Sequence, residues 1–135
     1  MTPHLDPIGH VSSTLTDLAS APRQGDEGAP DAWLVFHPEV AAALHDLRVG
    51  DEVIVLTWLD RARRDVLAVH PRGDPDRPET GVFSTRSPHR PNPIGLHEVR
   101  VLAIDGLQVQ VAGMEAVDGT PVLDLKPVLR PNAER

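Results

Sequence analysis

Fourteen prolines and ten glycines are spread along 135 residues, and few stretches escape them long enough to make a helix of ordinary length. Each proline removes a backbone donor and fixes φ, and each glycine favours a turn. What remains between them is short, apolar and rich in Val, Ile and Leu, as in Ile8–Thr14, Ala32–Phe36, Glu52–Leu59, Leu96–Ile104, Leu107–Ala112 and Pro121–Lys126. That pattern predicts a mostly β chain of about seven strands. Short strands leave exposed edges, and closure into a small barrel removes them, so a closed β-barrel is the expected architecture. His37–Leu47 breaks the pattern. Pro38 suits a first helical turn, Glu39 suits the positive end of the dipole, and Val40, Ala43, Leu44 and Leu47 recur on one face, which predicts one short α-helix. Asp65–His70 reads as the hairpin partner of Glu52–Leu59, joined by the charged Asp60–Arg64 connection. Gly81–Thr85 reads as a further short strand, and Asp105-Gly106 as a two-residue hairpin turn.

The length allows one domain, taken here as residues 1–127 with 128–135 as a C-terminal tail. Apolar residues make up 40% and charged residues 24%, the ordinary globular range. Only Trp33, Phe36, Trp58 and Phe83 are aromatic, so the core must be aliphatic. Cysteine is absent, which excludes disulfides, thiol catalysis and cysteine-based zinc sites. Met1–His10 has no basic region followed by an apolar run, and no stretch has the length of a membrane span, so a cytoplasmic protein is expected.

The net charge of −7 argues against a chain coated in nucleic-acid affinity, but it is unevenly spread. Asp60–Arg100 carries eight arginines against six carboxylates, while the rest of the chain is net −9. A local basic face is therefore available. Phosphate-binding glycine loops, dinucleotide fingerprints and the GxSxG elbow are all absent. The seven histidines show no HxH or HExxH spacing, so no metal site is predicted.

Residues 84–96, STRSPHRPNPIGL, carry the most information. Pro88, Pro91 and Pro93 exclude a helix or a central strand here and stiffen the loop, which then loses little further entropy on binding. It presents Arg86, His89, Arg90 and Asn92, all able to bond an anionic or heteroaromatic ligand. A second turn, Val117–Lys126, combines Asp118-Gly119 with Thr120-Pro121 leading into a strand, on which Asp124 and Lys126 share a side. Pro22-Arg23-Gln24 lies in a polar stretch without periodicity, Ser20–Asp31.

Taken together, PRQ at 22–24, PRGD at 71–74, GVFSTRSPHRPNPIGL at 81–96 and DGTPVLDLKP at 118–127 resemble the TsaA-like, tRNA methyltransferase O family over Ile8–Pro127. The resemblance implies a small β-barrel, a homodimer, and an S-adenosylmethionine-dependent methyltransferase acting on N6 of threonylcarbamoyladenosine at position 37 of tRNA. Carried over residue by residue, it implies cofactor contacts at Pro22, Arg23, Gln24, Asp60, Arg61, Arg86, Leu96, Asp118, Gly119, Thr120 and Pro121. Methyl transfer from a sulfonium depends on alignment and desolvation more than on acid–base groups. The acceptor nitrogen must still lose a proton, and His89 and Asp118 are the candidates to assist. Arg63, Arg64, Arg90 and Asn92 are the candidates to hold the acceptor.

The sequence departs from the family pattern at two places. Leu59-Asp60 stands where the family has an aromatic followed by His, and Arg48–Asp51 replaces an FSH-like element. Larger members also carry a C-terminal domain that helps hold tRNA, whereas this sequence ends soon after Lys126. These departures leave two alternatives: a methyltransferase of the same fold acting on a small molecule, and a non-catalytic S-adenosylmethionine or nucleotide sensor.

Overall fold

The structure is a computed structural model, and it describes residues 1–16 and 28–130. Eight strands are present among them: β1 (Gly9–Ser12), β2 (Ala32–Phe36), β3 (Glu52–Trp58), β4 (Ala68–Val69), β5 (Thr80–Gly81), β6 (Ile94–Asp105), β7 (Gln108–Val111) and β8 (Pro121–Pro127). Six of them pair antiparallel in the order β1-β2-β7-β6-β3-β8, and β8 pairs back onto β1 to close a barrel. β4 and β5 form a separate two-stranded sheet.

Alternation explains which side chains point inward. Along β6, Gly95, His97, Val99 and Val101 are buried, while Ile94, Leu96, Glu98 and Arg100 face out. Along β3, Val53, Val55 and Thr57 are buried. The interior is filled by Val11, Leu34, Val53, Val55, Val99, Val101, Val109, Val111, Met114 and Val122. A narrow six-stranded barrel has room for β-branched aliphatics and little for rings, which matches a chain with so few aromatics. Each such side chain contributes about 1.5–3 kcal/mol of burial. Two irregularities bend the sheet: β3 against β8 between Leu56 and Thr57, and β6 against β7 between Val101 and Ala103.

Four details differ from the sequence reading. Asp65–His70 does not pair with β3, because β6 and β8 take both edges of that strand; Ala68–Val69 pairs with Thr80–Gly81 instead. Gly81–Thr85 is strand only at its first residue, and Val82–Ser84 is a 3₁₀ turn. The predicted α-helix is a 3₁₀ helix, Pro38–Leu44. It has no side-chain N-cap, and Val40 and Leu44 pack against the core only partly buried, so little secures the i→i+4 pattern over so short a piece. The β6–β7 turn falls one residue later than expected, on Gly106-Leu107 between paired Asp105 and Gln108, with Gly106 at φ +59°. Beyond β8, Val128 still donates to the Glu52 carbonyl and Arg130 pairs with Glu52, so the chain is tied down as far as 130. Among the described residues no helix is long and apolar enough to cross a membrane.

The up-and-down pairing sorts the connections to the two ends of the barrel. Among the described residues, 13–16, 28–31, 59–93 and 112–120 lie at one end, here called the upper rim. The 3₁₀ helix and the Gly106-Leu107 turn lie at the other.

Candidate functional site

Every described residue among the expected cofactor, acceptor and proton-transfer contacts lies on an upper-rim connection or on the first residues of the strands that leave it. The hub is the segment just after β3. The Leu59 amide donates to the Pro93 carbonyl at 2.8 Å, and the Arg90 amide donates to the Arg63 carbonyl at 3.0 Å, so the proline loop lies along residues 59–63. On its other side, Arg61 Nη1 donates to the Thr16 carbonyl at 2.7 Å. The Asp118 amide donates to the Leu15 carbonyl at 2.7 Å, and the Ser13 amide donates to Asp118 Oδ1 at 3.0 Å. Three sequence-distant pieces, the proline loop, the segment after β3 and the 118–121 turn, are thereby joined in a single chain of contacts around Ser13–Thr16.

Prolines leave the 85–93 loop short of backbone donors, and arginine side chains supply them. Arg90 bonds the Val82 carbonyl and, at 3.0 Å, the Thr85 carbonyl. Arg64 bonds the Pro91 carbonyl at 2.7 Å and Asn92 Oδ1 at 2.8 Å, with its guanidinium 5.2 Å from the Trp58 ring centroid. Arg63 pairs with Asp65 through two 3.0 Å bonds. That hydrogen bond and the attached charge hold the Asp65 carboxyl below its ordinary range. Of the four residues expected to hold an acceptor, Arg63, Arg64, Arg90 and Asn92 are thus all engaged within the chain. Arg64 and Arg90 meet neutral carbonyls and keep their full charge, so they contribute a field more than a free fork.

The remaining candidates differ in how they are occupied. Arg86 and Asp60 are exposed, and neither side chain has a hydrogen-bond or ion-pair partner among the described residues. Asp118 is exposed with one oxygen committed to Ser13. The Gly119 amide donates to the Val11 carbonyl at 2.7 Å, and the buried Thr120 hydroxyl donates to the Val117 carbonyl at 2.7 Å, so Thr120 shapes the turn. Pro121 opens β8 beside His10. Leu96 lies on the outer face of β6, 43% exposed, opposite Leu56, and Ile94 lies opposite Trp58. His89 Nδ1 accepts the Arg63 amide at 3.0 Å, which leaves the neutral imidazole's proton on Nε2 and makes that nitrogen a donor. Pro22, Arg23 and Gln24 lie outside the described residues. Asp124 and Lys126 pair at 3.1 Å on the surface of β8.

One cluster was not singled out from the sequence. His97, 4% exposed, bonds Thr57 Oγ1 at 2.8 Å and Glu115 Oε1 at 2.7 Å inside the upper end of the barrel. A Cβ on Gly95 would come within 2.4 Å of Thr57 Oγ1 and 2.8 Å of His97 Nε2, so glycine is what lets this pair close. The signal was there: in GLHEVRV, His97 shares its side of the strand with Val99 and Val101, which buries it and demands polar partners. The cluster ties the exit of the proline loop to the segment that enters the 118–121 turn. By contrast, the shallow recess lined by Ala41, Ala42, Leu44, His45, Gly106 and Leu107 lies at the lower rim and includes none of the candidate residues.

Residues 10–132 match the family of the tRNA-methyltransferase O N-terminal domain. The chain belongs to that family. An "S-adenosyl-L-methionine-binding protein" of Archaeoglobus fulgidus is 43% identical over 122 residues, covering 90% of this chain and 86% of the relative. A "probable S-adenosyl-L-methionine-binding protein" from the same organism is 44% identical over 127 residues, of which this chain spans 34%. The crystal structure of TrmO from Pseudomonas aeruginosa superposes with a TM-score of 0.76 at 32% identity, covering 96% of this chain and 57% of that one. This chain therefore spans a little over half the length of the TrmO structure and about a third of one relative. As a member of the tRNA-methyltransferase O family it shares the mostly β fold of that structure.

Proposed function

We propose that the chain is an S-adenosylmethionine-dependent methyltransferase whose acceptor is N6 of threonylcarbamoyladenosine at position 37 of tRNA, working as a homodimer. The observation that carries this reading is the convergence at one rim of the described residues that the family motifs mark as cofactor contacts. Their chemistry fits the group. The Arg86 guanidinium, without a partner among the described residues, suits a carboxylate bidentately, the Asp60 carboxylate and the Asp118 oxygen that no described residue bonds suit an ammonium or ribose hydroxyls, and Leu96 beside Ile94 offers apolar surface to a base. When bound, the cofactor supplies an activated methyl group on a sulfonium. Residues 1–127 form the binding domain in this reading, and Pro22, Arg23 and Gln24 complete the contacts.

Arg61, bonded to the Thr16 carbonyl, ties the segment after β3 to Ser13–Thr16 beside the turn, and the Thr120 hydroxyl fixes the turn that presents Asp118. Of the two groups considered for the acceptor's proton, Asp118 is the better placed chemically. His89 already uses Nδ1 to accept the Arg63 amide and offers a donor from Nε2, so it orients an acceptor carbonyl more readily than it takes up a proton. The charges of Arg61, Arg64 and Arg90 attract the phosphates of an RNA. A second reading, a smaller methyl acceptor, draws on the engagement of the Arg63, Arg64 and Asn92 side chains within the chain.

The test is to incubate tRNA carrying threonylcarbamoyladenosine with the protein and methyl donor, then digest and separate the nucleosides. A new N6-methylated nucleoside is expected. Turnover of the donor with a small acceptor but not with tRNA selects the second reading, and no turnover with any acceptor selects a sensor.

A further inference from the structure

Phe83 is the exception among the aromatics. Phe36 is buried, Trp33 and Trp58 are partly covered, and Arg64 lies over Trp58, whereas Phe83 is 86% exposed. A single exposed apolar residue is unremarkable on a mobile loop, where it can fold back onto its neighbours. This one is held out. Its neighbour Val82 is buried as an anchor, with its amide donating to the Leu67 carbonyl at 2.9 Å. The Val82 carbonyl receives Arg90 Nη2, the Thr85 amide at 3.0 Å and the Thr85 hydroxyl at 3.0 Å, and the Thr85 carbonyl is gripped by Arg90 again. Both sides of Phe83 are therefore clamped, the ring projects from a one-turn 3₁₀ segment, and Arg86 follows three residues later.

We propose that Phe83 is a stacking platform for the acceptor nucleobase, presented by a single-stranded RNA loop. This rests on the RNA reading above and deepens it by naming the residue that receives the base. A ring carried on backbone that is fixed before binding leaves only its own two side-chain torsions to order, its face accepts a purine without requiring base pairing, and unpaired bases are what aromatic side chains take from RNA. The surroundings fit a polyanion: Arg90, on the carbonyls that flank Phe83, and Arg64, on the adjoining segment, both sit on neutral carbonyls, with their charge uncompensated by a carboxylate at those contacts. With Arg86 assigned to the methyl donor, the same stiff segment would carry the donor's anchor and the acceptor's platform three positions apart, which fixes one relative to the other.

The test uses the full chain and an RNA hairpin whose loop carries one 2-aminopurine, with S-adenosylhomocysteine affinity measured in parallel. Phe83→Leu keeps an apolar side chain without a ring, and Phe83→Trp enlarges the ring. Wild type is expected to quench the fluorophore, Phe83→Leu to bind the hairpin about tenfold more weakly with the quench lost, and Phe83→Trp to restore both. The slope of affinity against salt and the S-adenosylhomocysteine affinity should be the same in all three. Equal hairpin binding by wild type and Phe83→Leu, with S-adenosylhomocysteine still bound, overturns the platform and leaves the methyltransferase reading standing. Absence of RNA binding by wild type overturns the RNA reading together with the platform. A shift in the monomer–dimer equilibrium of Phe83→Leu in sedimentation velocity overturns the proposal in favour of a contact between copies.

Discussion

The two ends of the barrel solve the same problem, returning the chain to the sheet, by different means. At the lower rim the connections are mostly backbone structure, a 3₁₀ helix after β2 and a two-residue turn at Gly106-Leu107, and the side-chain bonds there stay within a few residues, as from Arg48 to the His45 and Leu47 carbonyls. At the upper rim, long proline-rich connections are held by side chains reaching for backbone groups farther along the chain: Arg61 donates to the Thr16 carbonyl, Arg64 to that of Pro91 and Arg90 to those of Val82 and Thr85, while Asp118 accepts from the Ser13 amide. Backbone-made connections need few particular side chains. Side-chain-made ones can hold an irregular shape, and an irregular shape is what a site for a small polar molecule requires.

The sharpest way to separate the two ends is to damage each independently. Gly9 begins β1 at the lower end, where a Cβ would stand 2.3 Å from the Val35 carbonyl oxygen and 3.0 Å from Phe36 Cα. Both are backbone atoms that cannot swing aside. Gly9→Ala is expected to cost about 3 kcal/mol or more in denaturant unfolding, while the protein that remains folded binds S-adenosylhomocysteine normally. Arg90→Ala is next. Removing a charged donor from two carbonyls is expected to cost about 1.5–3 kcal/mol. Unlike Gly9→Ala it should raise amide exchange at 82–87 selectively and weaken cofactor binding. Arg90→Lys should rescue little, because an ammonium cannot reproduce the fork.

Arg86→Ala inverts that profile. With no partner to lose among the described residues, its unfolding free energy should match wild type, while calorimetry should record a loss of cofactor affinity of about 1.5–3 kcal/mol. The smallest effect belongs to Asp65. Its carboxyl is held below the ordinary range by Arg63, so whatever stability it adds is present above the unfolded carboxyl's pKa and fades as pH falls through the lower folded value. Being fully exposed, the pair is screened by solvent, and thermal melts of Asp65→Asn and wild type should coincide from neutral to acid pH.

The same contrast marks what could be read from the sequence. β1, β2, β3, β6, β7 and β8 were legible as short apolar stretches bounded by turn residues, and alternation in Leu107–Val111 also separated the inward Val109 and Val111 from Gln108 and Gln110. The partner of Asp65–His70 was not, since a local pattern says that a strand exists and not which edge is open; β8 had already taken the free edge of β3. The 3₁₀ helix read as α because its apolar spacing fits either form until something packs against it. For the site, the motifs drew attention to the right segments, but the occupation of individual arginines could not be foreseen. Whether Arg90 faces solvent or the Val82 carbonyl depends on where the chain returns, and no spacing rule encodes that. His97 was the nearest miss, since its place among Val99 and Val101 already implied burial.

The central claim is that the three upper-rim connections form one S-adenosylmethionine site, and amide chemical-shift mapping during titration with S-adenosylhomocysteine tests it most directly. Shifts are expected at the amides of residues 23–24, 59–61, 86–96 and 118–120 together, saturating with one affinity, with quiet amides at 39–47 and 105–107. Shifts centred on the lower rim, or upper-rim segments that titrate with separate affinities, would contradict it.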